Sequence, residues 1–397
     1  MSKTYDKLDA VISLSSNSPG SPTGYGQQAE YLVERLVRHG TKVAALSNYG
    51  LEGTLGELKV KGGKVAHYPR GFTQYSDDII PDHHAKHRRG REDKPHAVMT
   101  LYDVWVYRNP ALDKLPIISW TPLDHITLPP LVGKWLEKPN VTPVTMAPHG
   151  KRQLDAAGIE SVYIPHGIDT KTYSHTETFD GVPTREHMGL GDEFLIGMVA
   201  ANKANKYYHR KAFAECLAAA AFFMKDHPNT VLYLHTEATA ALGGFDLGTL
   251  LASVGIPADK VIFPDPVDLR YGYTKKQLAA LYSAFDVLLA PSYGEGYGIP
   301  TVEAQSAGTR VIASSWAASA DLVAEDGWLV EGHVFWDEGQ SAWWKVPDIT
   351  SIVGALEEAY KAPRGPSKVA RDFALQFDVE KVWSESWLPF LKEYFDK

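Results

Sequence analysis

Cysteine is nearly absent from this chain: Cys216 stands alone among 397 residues. One thiol excludes an internal disulfide and a cysteine-built zinc site. Its expected place is a helix core, as a small apolar residue. No apolar run approaches the roughly 18 residues that a spanning helix needs, so no stable membrane insertion is expected. The N-terminal MSKTYDKLDAVIS lacks a signal-peptide pattern, which makes cytoplasmic location the default expectation. Positive charge is also in deficit. The net charge of −8 argues against a general nucleic-acid binder, although the local cluster Lys86, Arg88, Arg89, Arg91 and Lys94 keeps a basic acceptor patch open beside the simpler reading of a solvated face. His83, His84 and His87 lie nearby without the spacing of a helical metal motif, and no metal is expected. Repeats and low-complexity tracts are missing.

What remains is an ordinary globular composition, 44% hydrophobic and 22% charged, in a chain long enough for two full cores. Apolar strand candidates alternate with amphipathic helices, the pattern of α/β folds with parallel sheets. Ala10–Ser16 reads as the first strand. Ala29, Leu32, Val33, Leu36 and Val37 form one helical face, Gly40 is the expected cap, and Thr41–Leu46 is the next strand. The turn Gly24-Tyr25-Gly26 between strand and helix is no dinucleotide fingerprint, because no acidic residue follows at the required spacing. Further strands are expected over His96–Trp105 and Pro116–His125. They carry Asp103, Asp124 and His125 at their carboxyl ends, where parallel sheets bind ligands.

The most informative stretch is PSYGEGYGIPTVEAQSAGTRVIA, Pro291 to Ala313. The strand FDVLLA precedes it. Gly294, Gly296 and Gly298 then flank Glu295 and Tyr297, and Pro300 suits the start of a helix. That helix is expected to run to Ala307, with Gly308 as a left-handed cap, and Thr309–Ala313 to form the next strand. Glycines let a ligand approach the backbone, and the helix N-terminus behind them offers free amides and partial positive charge. Glu295 in the loop and Glu303, placed in the first helical turn, add two hydroxyl-accepting carboxylates. Together they point to a phosphorylated polyol. The structural alternative for Glu303 is complementing the helix dipole.

This stretch resembles the Glu-x7-Glu signature of retaining glycosyltransferases of the GT-B fold, family 4. The resemblance implies two Rossmann-like domains with parallel sheets facing a cleft, and a sugar moved from a nucleotide-sugar donor to an acceptor hydroxyl. It implies that Glu295 and the amides of Gly296, Tyr297 and Gly298 hold the donor sugar, and that Glu303 holds the ribose. By the same resemblance Gly26 lies near the donor phosphate, His125, with Asp124 second, touches the donor sugar, and Lys211 meets the diphosphate. The family's usual Arg is not in place. Asn202 or Lys203 stands there and Arg210 adjoins Lys211, so the cation that meets the diphosphate is open among Lys203, Arg210 and Lys211. His235 ends a strand over Asn229–Ala238, and Val267, with Pro266, lies in the loop expected to hold the base. VYIPHGIDTKTY resembles the family's domain crossover, where Asp169 is structural. The expected domains are 1–173 and 174–378, with a last helix, 379–397, returning to the first. The Trp-rich VFWDEGQSAWWKVPD is unusual, and Trp336, Trp343 and Trp344 are read as core or as a sugar platform.

The expected donor is UDP- or GDP-linked, with no resident cofactor. The acceptor is open among glycan, protein, lipid and modified DNA. Two alternatives stay open: another GT-B activity such as sugar-nucleotide epimerisation, and a non-catalytic nucleotide-sugar-binding protein.

Overall fold

The computed structural model describes residues 6–48, 55–204 and 208–396. The chain divides into two compact units. The first holds the residues up to Leu123, Thr127–Gly167 and the segment from Val379 onward; the second holds Asp124–Ile126 and Ile168–Asp378.

The sheet of the first unit has eight described strands. In spatial order they are Gly56–Val60, Gly63–Tyr68, Lys42–Ser47, Val11–Ser16, His96–Leu101, Ile117–Thr121, Val141–Thr145 and Val162–Tyr163. Neighbours run parallel except the first two, which form a hairpin. Val11–Ser16 is buried at every position, as a central strand covered on both faces must be. The helix Gly24–Arg38 lays Ala29, Leu32, Val33 and Leu36 into the core. It begins at Gly24 itself, because the Thr23 hydroxyl accepts the Gly26 amide at 3.0 Å and caps it. The expected glycine turn is therefore the first turn of the helix. The basic stretch holds a further helix, Ile80–Arg88, which weak periodicity had concealed. The C-terminal helical segment is fixed by an ion pair of Glu380 with Arg35 at 2.8 Å and by an edge-on contact between Trp387 and Trp120.

The second unit has a fully parallel sheet of six described strands: Val261–Ile262, Thr230–His235, Phe194–Val199, Val287–Ala290, Val311–Ser314 and Trp328–Val330. Its core packs Phe213, Cys216, Leu217 and Phe223 from the helix Phe213–Asp226 against Ile196, Leu232 and Leu289. Cys216 is fully buried there, and burial pushes its thiol pKa well up. The crossover into this unit falls at Gly167–Ile168, ahead of the expected 173–174. The reason is local: Ile168 donates to the Phe377 carbonyl at 2.8 Å, and Arg371 donates to the carbonyls of Thr170 and Tyr173, each at 2.8 Å. Asp169 accepts from the Thr172 hydroxyl at 2.7 Å and closes the turn.

A hairpin, Gly332–Asp337 with Ala342–Pro347, completes the unit. Trp343 and Ile126 exchange backbone hydrogen bonds, 3.0 Å from Ile126 N and 2.6 Å from Trp343 N, and Lys345 N donates to Tyr293 O at 3.0 Å. The hairpin thereby holds both the Asp124–Ile126 segment and the edge of the glycine loop.

Candidate functional site

The loop after Val287–Ala290 follows from its glycines. A Cβ on Gly294 would lie 2.2 Å from the Asp124 carbonyl oxygen and 2.7 Å from the Trp344 ring, so only glycine lets the loop pass. Gly298 has φ +101° and stands at the helix N-cap, where no side chain caps the helix Ile299–Ser306. Its amides and dipole are thus left to backbone groups and ligands. Pro300 lies in the first helical positions and Gly308 follows the helix at φ +88°, as the sequence predicts.

Glu295 is the electrostatic centre. Its side chain is 14% exposed, pairs with Lys211 Nζ, and accepts from Arg210 Nη1 at 3.2 Å. Arg210 Nη1 also donates to the Gly294 carbonyl at 2.9 Å. Burial alone would raise the Glu295 pKa, but the charges of Lys211 and Arg210 outweigh it and hold the carboxyl at about 2. For Lys211, burial and the neighbouring Arg210 push the ammonium pKa down, with Glu295 pulling it back. The loop that carries Tyr293 positions Arg210 in turn, through Tyr293 N donating to Arg210 O at 2.8 Å. The structure therefore brings Arg210, Lys211 and Glu295 together at the glycine loop. Lys203 is exposed and forms neither of these two ion pairs.

Glu303 is buried at 4% exposure and accepts from the Tyr282 hydroxyl at 3.0 Å. It falls in the second turn of its helix rather than the first, which removes the dipole alternative. Tyr297 is buried against Phe377, while Gly296 lies in the loop between the two acids.

Three expected ligand contacts are committed elsewhere. The Asn202 amide group donates to Glu237 O and Phe245 O, each at 2.8 Å, and its oxygen accepts from Phe245 N and meets His209 Nε2, each at 2.9 Å. Asn202 is saturated: it ties down the 237–245 loop and does not stand in for a cation. Val267 is part of the helix Pro266–Tyr271, not of a loop, and its N–H is taken by the capping Asp265 carboxylate at 2.8 Å. The Gly26 N–H serves the Thr23 cap, and a Cβ there would lie 2.1 Å from Ser21 Oγ, so packing explains this glycine. His235 ends its strand as expected. Burial lowers its pKa to about 4, which keeps the ring neutral beside the Tyr233 hydroxyl at 3.2 Å.

His125 is buried at 3% exposure, with Nδ1 2.7 Å from Asp124 Oδ1 and Nε2 3.1 Å from Asp337 Oδ2. Its ring stacks on Trp344, centroids 4.5 Å apart. Burial disfavours the charged ring, but the two carboxylates prevail and raise its pKa to about 9. Asp337 also accepts from the Tyr208 hydroxyl at 2.9 Å and from Gly339 N at 3.1 Å. Sequence reasoning passed over Asp337 and Tyr208; the only signal was the odd Trp-rich stretch. That stretch divides: Trp344 is core, and Trp336 and Trp343 are exposed. Of the basic-stretch histidines, His84 and His87 are buried and His83 half-buried, His84 lying 2.8 Å from Ser13 Oγ and 3.0 Å from His96 Nδ1.

Residues 237–338 match the family described as glycosyl transferases group 1. D-inositol 3-phosphate glycosyltransferase of Streptomyces avermitilis is 33% identical over 157 residues, 38% of this chain and 32% of that relative, so the match spans about a third of the relative's length. Among solved structures, sucrose-phosphate synthase from Thermosynechococcus elongatus superposes with a TM-score of 0.71 at 16% identity, covering 98% of this chain and all of that one. The α,α-trehalose-phosphate synthase of Burkholderia vietnamiensis gives 0.70 at 12% identity, covering 98% of each chain. By fold the chain is a GT-B protein, and its residues 237–338 match glycosyl transferases group 1.

Proposed function

We propose that the chain is a retaining glycosyltransferase that moves a sugar from a nucleotide-sugar donor to an acceptor hydroxyl. One observation carries the reading: two cations, Arg210 and Lys211, converge on a buried carboxylate in a glycine loop that opens a helix without a side-chain cap. Such a loop suits a diphosphate at the helix N-terminus. The cations suit the charge that develops as the diphosphate leaves, and Glu295 suits sugar hydroxyls. The group 1 match over 237–338 supports the same reading.

In this mechanism the acceptor hydroxyl attacks the anomeric carbon on the face from which the diphosphate departs. The new C–O bond forms as the C–O bond to phosphate breaks, and the hydroxyl proton passes to the leaving phosphate oxygen. No protein nucleophile is needed. Lys211 and Arg210 stabilise the departing charge, the loop amides orient the phosphates, Glu303 serves the ribose, and positioning supplies the remainder. The cations take the part a metal would otherwise play. The donor is UDP- or GDP-linked, the acceptor is a glycan, protein, lipid or modified DNA, and the setting is the cytoplasm.

The test is to incubate the chain with a nucleotide-sugar panel and candidate acceptors, following nucleoside diphosphate release and the anomeric configuration by proton NMR. Retention at the transferred sugar is expected. Inversion would refute the mechanism. An epimerised donor without transfer would assign another GT-B activity, and binding without turnover would assign a binding protein.

A further inference from the structure

The Trp-rich hairpin holds two indoles outside the core. Strand alternation divides its residues between two faces. One face is spent on packing: Trp344 is buried and stacks on His125, and Phe335 packs against the core of the second unit. The other face carries Val334 and Trp336 on one strand and Trp343 on the next, and they are 55%, 42% and 38% exposed. Trp336 and Trp343 are direct cross-strand partners, with ring centroids 4.9 Å apart at 67°, so they form one apolar corner. Glu338 Oε2 accepts from Trp336 Nε1 at 3.2 Å and fixes that ring. Cross-strand aromatic pairs stabilise hairpins, but this hairpin is already anchored through its buried face and through its backbone bonds to Ile126 and Tyr293. The corner also borders the glycine loop. Trp343 pairs with Ile126, two residues from Asp124, whose carbonyl oxygen fills the place of a Gly294 side chain.

Size and charge select the occupant. The exposed surface of the two indoles amounts to roughly 200 Å², against about 800 Å² per partner for a stable protein interface. The hairpin's one lysine, Lys345, is taken by Glu331 Oε2 at 2.6 Å and by Ser315 Oγ at 2.9 Å. Glu331 and Glu338 are both exposed. A face whose own lysine is paired and whose exposed neighbours are acidic disfavours phosphate-bearing partners, lipid headgroups and nucleic acid alike. It suits a neutral ring that offers apolar C–H groups to the indoles and hydroxyls to the carboxylates. We propose that Trp336 and Trp343 form an acceptor subsite for a neutral glycan, stacking a sugar ring next to the one that reacts. The inference rests on the glycosyltransferase reading above and narrows its acceptor. Because the corner borders the glycine loop instead of lying in it, the acceptor has at least two rings.

The experiment is a saturation-transfer NMR titration of the full chain with maltose, cellobiose, mannobiose and diacetylchitobiose, each beside its monosaccharide. The chains compared are wild type, Trp336→Leu, Trp343→Leu, Trp336→Phe and Trp343→Phe, with the thermal midpoint as folding control. The wild type is expected to bind at least one disaccharide more tightly than its monosaccharide. Each Leu variant is expected to lose about tenfold of that affinity, the upper end of an aromatic stacking contact, and to keep the stabilisation by nucleotide sugar. The Phe variants are expected to lose less. In transfer to that disaccharide, KM is expected to rise while kcat holds. No disaccharide bound by the wild type, or an unchanged affinity in both Leu variants, would overturn the subsite. A nucleotide-sugar stabilisation that falls in step with disaccharide affinity would overturn it too, by showing a merely structural role. Where a Leu variant loses its thermal midpoint, the Phe variants decide, and unchanged affinity in both would overturn it. Phosphatidylglycerol vesicle binding, duplex DNA binding or self-association that these substitutions abolish would give the face to that partner and overturn the glycan. A wild type that binds no nucleotide sugar, yet loses its disaccharide in the Leu variants, would overturn the donor-site reading and leave the glycan face standing.

Discussion

Replacing Glu295 with alanine tests the electrostatic centre of the second unit. The Glu295 carboxyl is held at about 2 against an ordinary 4.5. At about 1.4 kcal/mol per pH unit, that is a preference of about 3 kcal/mol for the charged form in the folded chain. Its side chain is 14% exposed, so solvent screening takes little of this away. Part of the gain is offset at Lys211, whose ammonium is disfavoured by burial and by Arg210. Glu295→Ala removes the offset's compensation and strands the Lys211 cation, and breaking a buried pair in this way costs roughly 3–5 kcal/mol. Urea unfolding, followed on the transition of the second unit by tryptophan fluorescence, is expected to show a loss of about 3 kcal/mol. Adding Lys211→Met is expected to return part of that loss, since removing both partners is milder than removing one. The sign with pH is fixed by the depressed folded-state pKa: the wild-type advantage is fully present above about pH 4.5 and is lost as pH falls toward 2. A Glu295→Ala cost below about 1 kcal/mol, or no difference in pH profile from the wild type, would refute the reasoning.

Gly294→Ala puts a methyl 2.2 Å from the Asp124 carbonyl oxygen; a cost of about 1–3 kcal/mol in denaturant unfolding is expected, with weakened binding of the nucleotide sugar in titration. Asn202→Ala strips the 237–245 loop of its central amide and is expected to cost about 2 kcal/mol or more, while hydrogen exchange speeds up selectively in that loop. His125 gains its proton affinity on folding, so its contribution is fully present below about pH 6.5 and is lost as pH rises through about 9. The wild type is expected to lose stability over that window, and Asp337→Asn to lose less.

Most of the fold was legible because its signals are local. The strand of the glycine stretch, the Pro300 helix and the Gly308 cap all follow from periodicity and backbone rules over a few residues. Glu295 and Lys211 were legible by resemblance to a short motif. What escaped reading depends on partners distant in sequence. Asp337 meets His125 across 212 positions, and no spacing rule reaches that far. Asn202 looked like a substitute at a missing Arg, yet its amide is consumed by a loop 43 residues on. Val267 looked like loop, but Asp265 and Pro266 start a helix there. Glu303 falls in the second turn because the helix begins at Ile299, one residue ahead of Pro300. Arg210 was open beside Lys203 and Lys211 as a candidate cation, and its ion pair with Glu295 is visible only in three dimensions.

The central claim is that the glycine loop and its cations form a donor site, and thermal denaturation against UDP-, GDP- and ADP-sugars, with and without magnesium or manganese, tests it most directly. The account expects one nucleotide sugar to stabilise the chain without metal, by about 2.7 kcal/mol at a hundred times its dissociation constant, and expects Glu295→Ala to lose that shift. No shift with any nucleotide sugar, or a shift that appears only with a divalent metal, would contradict it.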